Sequence, residues 1–191
     1  RPDDIRSLTQ WLTLDVVVVT RFGESPVHLE HFPSRDALID EDASIIQSLK
    51  KTGTLVLNFD DSDVAALSSR GGRDVLFYGY SDRAHVWASN DGVEYSSGDG
   101  TNTSIPTGLH VKINYSGSSV PVSLPGVIGR QHIYPLLAAV AVGASQSINM
   151  ITMSQALAQH RPPPGRMRIL SGVNRSIIID DSYNSSPVAL K

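Results

Sequence analysis

The stretch Leu14-Asp15-Val16-Val17-Val18-Val19-Thr20 decides the fold class. Four consecutive valines read as a strand covered on both faces, the pattern of a parallel sheet rather than the in–out alternation of a half-solvated one. Just upstream, Asp3 is placed to cap a short helix carrying Ile5, Leu8 and Leu12 on one face. Downstream, Ser34 is placed to cap a helix that the apolar spacing carries to Lys51, with Leu38, Ile45, Ile46 and Leu49 inward. Lys50 and Lys51 then fall in its last turn and Gly53 just beyond it. A second apolar strand, Thr54 to Phe59, ends in Asn58-Phe59-Asp60-Asp61; a helix from about Asp63 to Ser69 leads to Gly71-Gly72, and Asp74 to Tyr80 reads as a third strand. Strand, helix, strand, helix, strand at this spacing predicts an α/β fold: a three-layer, mostly parallel sheet with right-handed crossovers.

The pattern then changes. From about residue 85 to 125 the chain holds short alternating runs broken by Gly, Asn and Ser, which predicts a small antiparallel β insertion at one sheet edge, with a hairpin loop between Ser96 and Thr107. Helical signals return at Gln131 to Val142, closed by Gly143, and at Ser147 to Gln159. Pro162-Pro163-Pro164-Gly165 is a stiff connector, after which Met167 to Leu170 is expected to pair with Ser176 to Ile179. The run Ile177-Ile178-Ile179 reads as a buried strand delivering Asp180, Asp181, Tyr183 and Asn184 at its carboxyl end, where α/β sheets bind ligands.

Composition narrows the function. With 191 residues, 40% of them hydrophobic and 18% charged, the chain has enough apolar content for one domain with a real core. A net charge of −3 with scattered Lys and Arg offers no broad footprint for nucleic acid or an anionic membrane, and no apolar run reaches membrane-spanning length, so no membrane insertion is expected. The absence of cysteine excludes disulfides, thiolate metal sites and cysteine nucleophiles, and fits a reducing compartment. No GxxxxGK[ST], GxSxG or HExxH motif occurs. The chain begins at Arg1 rather than Met and is read as a piece of a longer protein.

Several residues are candidates for chemistry, each with a plainer alternative. Asp180, Asp181, Tyr183 and Asn184 can accept hydrogen bonds from ribose hydroxyls, hold a metal through water or stack on a base; equally they can form an Asp/Asn/Ser/Pro turn. His28 and Glu30, in the loop after the valine strand, pair an imidazole with a carboxylate as for a divalent cation, or are simply solvated loop. Asn58, Asp60 and Asp61 share a strand end, with capping of the next helix the favoured role. Gly129-Arg130-Gln131-His132 opens a helix, whose free N–H groups favour an anion or a polar ring edge, or is an ordinary helix entry. Arg166 is a phosphate clamp or a surface cation, and His85, His110 and His160 lack ligand spacing.

Taken in order, these pieces resemble the central ATPase domain of the Mur ligase family. The carrying residues are Val19-Thr20, His28-Leu29-Glu30, Asn58-Phe59-Asp60-Asp61, Gly129 to Tyr134 with Ala138-Ala139, Gly165-Arg166-Met167, and Asp180-Asp181-Ser182-Tyr183-Asn184-Ser185-Ser186-Pro187. The DSYN ending is similar to the branch that adds D-alanyl-D-alanine to a UDP-N-acetylmuramoyl peptide in peptidoglycan synthesis. The resemblance implies a cytoplasmic, ATP- and Mg2+-dependent ligase that activates a carboxylate as an acyl phosphate for attack by an amine. It implies His28 as a magnesium ligand, Gln131 and His132 at the adenine, and Arg166 at the phosphates. Asp181 falls at the ribose, with Tyr183 and Asn184 on the adenine side. Its partners would be a nucleotide-linked peptidoglycan precursor and D-alanyl-D-alanine, with no nucleic acid.

The sequence departs from the family pattern at Asp42, where a carbamylated lysine is usual, so that a carboxylate would have to supply that catalytic negative charge. It departs again at Gln131-His132, where a His-Asn pair is usual, at Pro135 and at Ser186. On this resemblance the phosphate-binding loop, the substrate domain and the C-terminal domain lie outside residues 1–191. Two other readings stay open: a nucleotide-binding relative without catalysis, and another ligase of the superfamily that resembles folylpolyglutamate or cyanophycin synthases.

Overall fold

A computed structural model describes residues 1–24, 26, 28–70, 74–96 and 104–184, with the backbone alone at Arg175. Gly71-Gly72, most of the Ser96–Thr107 loop and Ser185-Ser186-Pro187 lie outside the described residues. The helices are α1 (Asp4–Thr9), α2 (Arg35–Ala43), α3 (Ser62–Ala66), α4 (Ile133–Ser145) and α5 (Met150–Leu157). The strands are β1 (Leu14–Val19), β2 (Leu49–Asn58), β3 (Asp74–Gly79), β4 (Val86–Ser96), β5 (Ile105–Tyr115), β6 (Ser118–Pro125), β7 (Arg168–Ser171) and β8 (Ile177–Asp180). The first six strands are hydrogen-bonded in chain order, and β7 and β8 form a separate pair. Two compact units divide the chain: residues 1–87 with 137–148, and residues 88–136 with 149–191.

In the first unit the expected parallel α/β pattern is present. β1 pairs with β2 in parallel (Val17 opposite Leu55), β2 with β3 (Leu55 opposite Val75), and β3 with the start of β4 (Tyr78 opposite Val86). Leu55, Val56 and Leu57 are completely buried, so β2 is the strand covered on both faces. The valine run is less covered than expected: Val17 is buried, but Val18, on the opposite face of the strand, is 38% exposed. Val17, Leu38, Ile39, Ile46, Leu49, Leu55, Leu57, Val64 and Leu67 form one core cluster.

Three local expectations are corrected. Asp3 does not cap α1; it lies in the left-handed region with no side-chain capping bond. Glu41 of α2 serves instead, its Oε1 accepting from the N–H groups of Ile5 at 2.9 Å and Arg6 at 3.2 Å. The helix capped by Ser34 stops at Ala43 and continues only as a 3-10 turn over Ser44–Ser48. Lys50, Lys51 and Gly53 are therefore strand residues, since pairing of Leu49 with Leu14 draws the segment into β2. Gly143 lies inside α4, which runs on to Ser145.

The second unit is built on antiparallel pairing. β5 and β6 run antiparallel from Gly108–Pro125 to Tyr115–Ser118, as the alternating residues predicted. β7 and β8 pair antiparallel, Ile169 opposite Ile179, across the expected turn. The triple isoleucine is not buried, however: Ile178 and Ile179 are each about half exposed, at 52% and 50%. A two-stranded ribbon has only one strand to pair with, so the composition of a buried strand here builds an exposed hairpin. α5 is capped by Asn149, whose side chain accepts from the Thr152 N–H at 2.9 Å.

Candidate functional site

The second unit gathers residues that are far apart in sequence. Ile128 N–H donates to the Met167 carbonyl at 3.2 Å, Ile169 N–H donates to the Gly126 carbonyl at 2.9 Å, and Val127 bridges Arg168. This short ladder lays the segment entering His132 alongside the segment leaving Arg166. Arg130 anchors the entry through a two-pronged ion pair to the nearly buried Asp91, Nε at 2.7 Å and Nη2 at 3.2 Å. That anchor was not legible in the sequence, and it commits Arg130 to a structural role. Gly129 has φ of 103°, a backbone conformation that L side chains rarely adopt, so the turn favours glycine.

His132 is half-buried at the end of a 3-10 turn. Desolvation holds its imidazole below the ordinary histidine range; a hydrogen bond to the Arg166 backbone opposes this, while His160 works with it. Its Nε2 is buried without a hydrogen-bond partner. A buried, unsatisfied ring nitrogen costs free energy that a ligand's polar edge can recover.

The hairpin side is held by carboxylates. Asp180 Oδ2 accepts from the Gly165 N–H at 3.1 Å, and its Oδ1 accepts from the Ser182 hydroxyl at 2.6 Å. The Ser182 hydroxyl is the main reason the Asp180 carboxyl sits below the usual range. Asp181 Oδ1 accepts from the Met167 N–H at 3.2 Å, and Tyr183 N–H donates to the Gly165 carbonyl at 3.1 Å. Gly165 has φ of 73°, and a Cβ there would come within 2.8 Å of the Tyr183 nitrogen. The result is that the Arg166 guanidinium carbon lies 4.1 Å from the centre of the Tyr183 ring. Of the expected nucleotide residues, His132, Arg166, Asp181 and Tyr183 are brought together. Gln131 and Asn184 are exposed beside them in sequence.

The first unit carries His28 and Asp42. His28 begins a 3-10 turn, Leu29–His31, that adds a residue the sequence reading passed over, His31. His28 Nδ1 stands 3.9 Å and His31 Nε2 3.7 Å from the same Glu30 oxygen. The loop leading here is fastened by Asp61, whose Oδ2 accepts from the Phe22 and Gly23 N–H groups, both at 3.1 Å. Its Oδ1 accepts from Asp63 at 3.2 Å and Val64 at 3.1 Å, capping α3. Partial burial pushes the Asp61 carboxyl upward, but these four donors outweigh it and leave it below the usual range. Asn58 and Asp60 are likewise architectural: Asn58 donates to the Thr20 carbonyl at 2.9 Å, and Asp60 accepts from the Tyr80 N–H at 2.7 Å. Asp42 lies on the outer side of α2. Enough protein surrounds its carboxyl that desolvation raises it, followed by the charge of Glu41, with the terminal ammonium opposing.

Known proteins share this fold. Residues 2–143 match the Mur ligase middle domain. The chain belongs to that family. It is 25% identical over 194 residues to the UDP-N-acetylmuramoyl-tripeptide–D-alanyl-D-alanine ligase of Mycobacterium leprae, a match covering 100% of the chain and 37% of that protein. It is 26% identical over 168 residues to the UDP-N-acetylmuramate–L-alanine ligase of Caldicellulosiruptor bescii, covering 86% and 34%. Among solved structures, the MurF ligase of Thermotoga maritima in complex with ADP superposes with a TM-score of 0.77 at 25% identity, covering 99% of the chain and 40% of that structure. MurF from Acinetobacter baumannii gives 0.79 at 18% identity, covering 97% and 38%. The chain thus spans little more than a third of the length of the curated relatives it matches. Among the described residues, no helix is long and apolar enough to cross a membrane.

Proposed function

We propose that this chain is the nucleotide-binding middle domain of a cytoplasmic, ATP-dependent ligase that adds D-alanyl-D-alanine to a UDP-N-acetylmuramoyl peptide. The observation that carries the reading is the convergence of a buried, unpartnered His132 Nε2 with the Arg166–Tyr183 stack. An imidazole nitrogen, an aromatic face, a guanidinium and the carboxylate of Asp181 match the base, sugar and phosphate of an adenine nucleotide in turn. In this reading His132 and Gln131 meet the base edge, Tyr183 and Asn184 its face, Asp181 a ribose hydroxyl and Arg166 the phosphates. The bound nucleotide supplies the phosphoryl group that activates the substrate carboxylate. The chain's own residues orient it: the Asp180 and Asp181 bonds to Gly165 and Met167 fix the backbone on both sides of Arg166.

Magnesium fits less well. It prefers oxygen donors and keeps several waters, whereas the loop at His28 presents two imidazoles and one carboxylate. Asp42 takes the catalytic role of a fixed negative charge in the ligase reading. The second reading, a nucleotide-binding module without catalysis, is favoured by the carboxylate at Asp42 and by the pair Gln131-His132, where the family pattern has a lysine and a His-Asn pair.

Calorimetric titration of the chain with ADP tests the nucleotide site. Saturable binding that His132→Ala and Arg166→Ala each weaken at least tenfold is expected, and no binding, or binding indifferent to both, overturns the reading. D-alanyl-D-alanine-dependent ATP hydrolysis by the full-length protein separates the ligase from the non-catalytic module.

A further inference from the structure

We infer that His28, Glu30 and His31 form a surface site for a borderline first-row divalent ion of the zinc class, selective against magnesium. The donor atoms of the three side chains all lie within 4.8 Å of one another. Ligands on one tetrahedral zinc ion stand about 3.4 Å apart, given metal–ligand distances of about 2.1 Å. Closing the site therefore needs movements of about 1 Å in side chains that are all exposed.

The backbone prepares this arrangement. His28 caps the 3-10 turn from the left-handed region (φ 69°) and His31 is the turn's last residue, so the two side chains flank one short turn. The two rings are already nearly parallel, 15° apart with centroids 6.2 Å from each other. The turn is closed by N–H donations from His31 to the His28 carbonyl and from Phe32 to the Leu29 carbonyl, both at 3.0 Å. Leu29 and Phe32 pack against the core cluster, so the same turn that buries its apolar residues presents its three donors to solvent.

Two neutral imidazoles and one carboxylate are a donor set for zinc, cobalt or nickel, because nitrogen ligands favour these ions over the hard, octahedral magnesium ion. All three donors lie in the first unit, and the test of the site contains no nucleotide.

The test is calorimetric titration of the 191-residue chain with Zn2+, alone and in thousandfold excess Mg2+, with circular dichroism confirming that each variant folds. One Zn2+ per chain is expected in both conditions. His28→Ala and His31→Ala should each weaken binding at least tenfold, Glu30→Gln by less, and His160→Ala not at all. Unchanged Zn2+ binding by His31→Ala, or displacement of Zn2+ by the excess Mg2+, overturns the proposal.

Discussion

The guanidinium of Arg166 lies 4.1 Å from the centre of the Tyr183 ring, held there by backbone and carboxylate bonds on both sides of Arg166 rather than by the stack itself. An exposed cation–π contact contributes about 0.5–1 kcal/mol, too little to order two side chains alone. The stack is therefore a consequence of the hairpin geometry, and it leaves Arg166 able to turn toward an anion.

This separates the two residues experimentally. Tyr183→Phe keeps the aromatic face and should bind ADP like the parent, whereas Tyr183→Ala should bind several-fold more weakly. Arg166→Ala should lose at least tenfold, and the difference from the parent should shrink as salt is raised, because screening removes a phosphate–guanidinium attraction. Isothermal titration at two ionic strengths reads both effects. Equal salt dependence in parent and Arg166→Ala would mean that Arg166 does not meet the phosphates.

Glu41 is the structural residue whose loss should be felt most. It is a buried carboxylate that accepts from two backbone N–H groups of α1 and pairs with Arg6 at 3.1 Å. Glu41→Ala strands those donors and should cost about 2–4 kcal/mol in urea denaturation. Arg6 is mostly exposed, so Arg6→Ala should cost less than about 1 kcal/mol. Similar costs for the two would place the stabilisation in the ion pair and not in the cap.

Asp61 gives a pH signature. Its folded carboxyl lies below the unfolded value, so its contribution is present above the unfolded pKa and is lost as pH falls through the folded one. Asp61→Ala should cost about 1–3 kcal/mol at neutral pH, since it removes the α3 cap and leaves Phe22 and Gly23 without an acceptor. Below pH 4 the gap between parent and variant should narrow. Chemical denaturation at pH 7 and at pH 3 measures it, and a constant gap would show that charge on Asp61 contributes nothing.

The sequence made the parallel strands and the Asp61 cap legible because both are local: a β-branched run bounded by turns, and an Asp before an apolar helix. It misplaced the end of α2 because Ile45, Ile46 and Leu49 suit a helix and a 3-10 turn entering a strand equally well. Only the pairing of Leu49 with Leu14 decides between them. The Ile177–Ile179 run was legible as a strand, but its exposure depends on having a single partner strand. At the candidate site the residue types were legible, and their convergence was not: it depends on the Ile128–Met167 and Ile169–Gly126 bonds, which no local pattern announces. His31 was overlooked because its partnership with His28 exists only if the segment forms a 3-10 turn.

His132 supplies the last prediction. Its folded imidazole is held below the unfolded value, first by desolvation, so the folded state resists the proton that the unfolded chain accepts. As pH falls through about 6.5, the unfolded value for histidine, the unfolded state therefore gains protonation free energy that the folded state does not, and stability declines until pH passes the folded value. His132→Gln cannot take a proton, so it should lose less stability than the parent between pH 7.5 and pH 5. Denaturation midpoints followed by circular dichroism at those two pH values make the comparison. An identical loss in both proteins would assign the acid sensitivity to another group and leave His132 freely solvated, contrary to its buried Nε2.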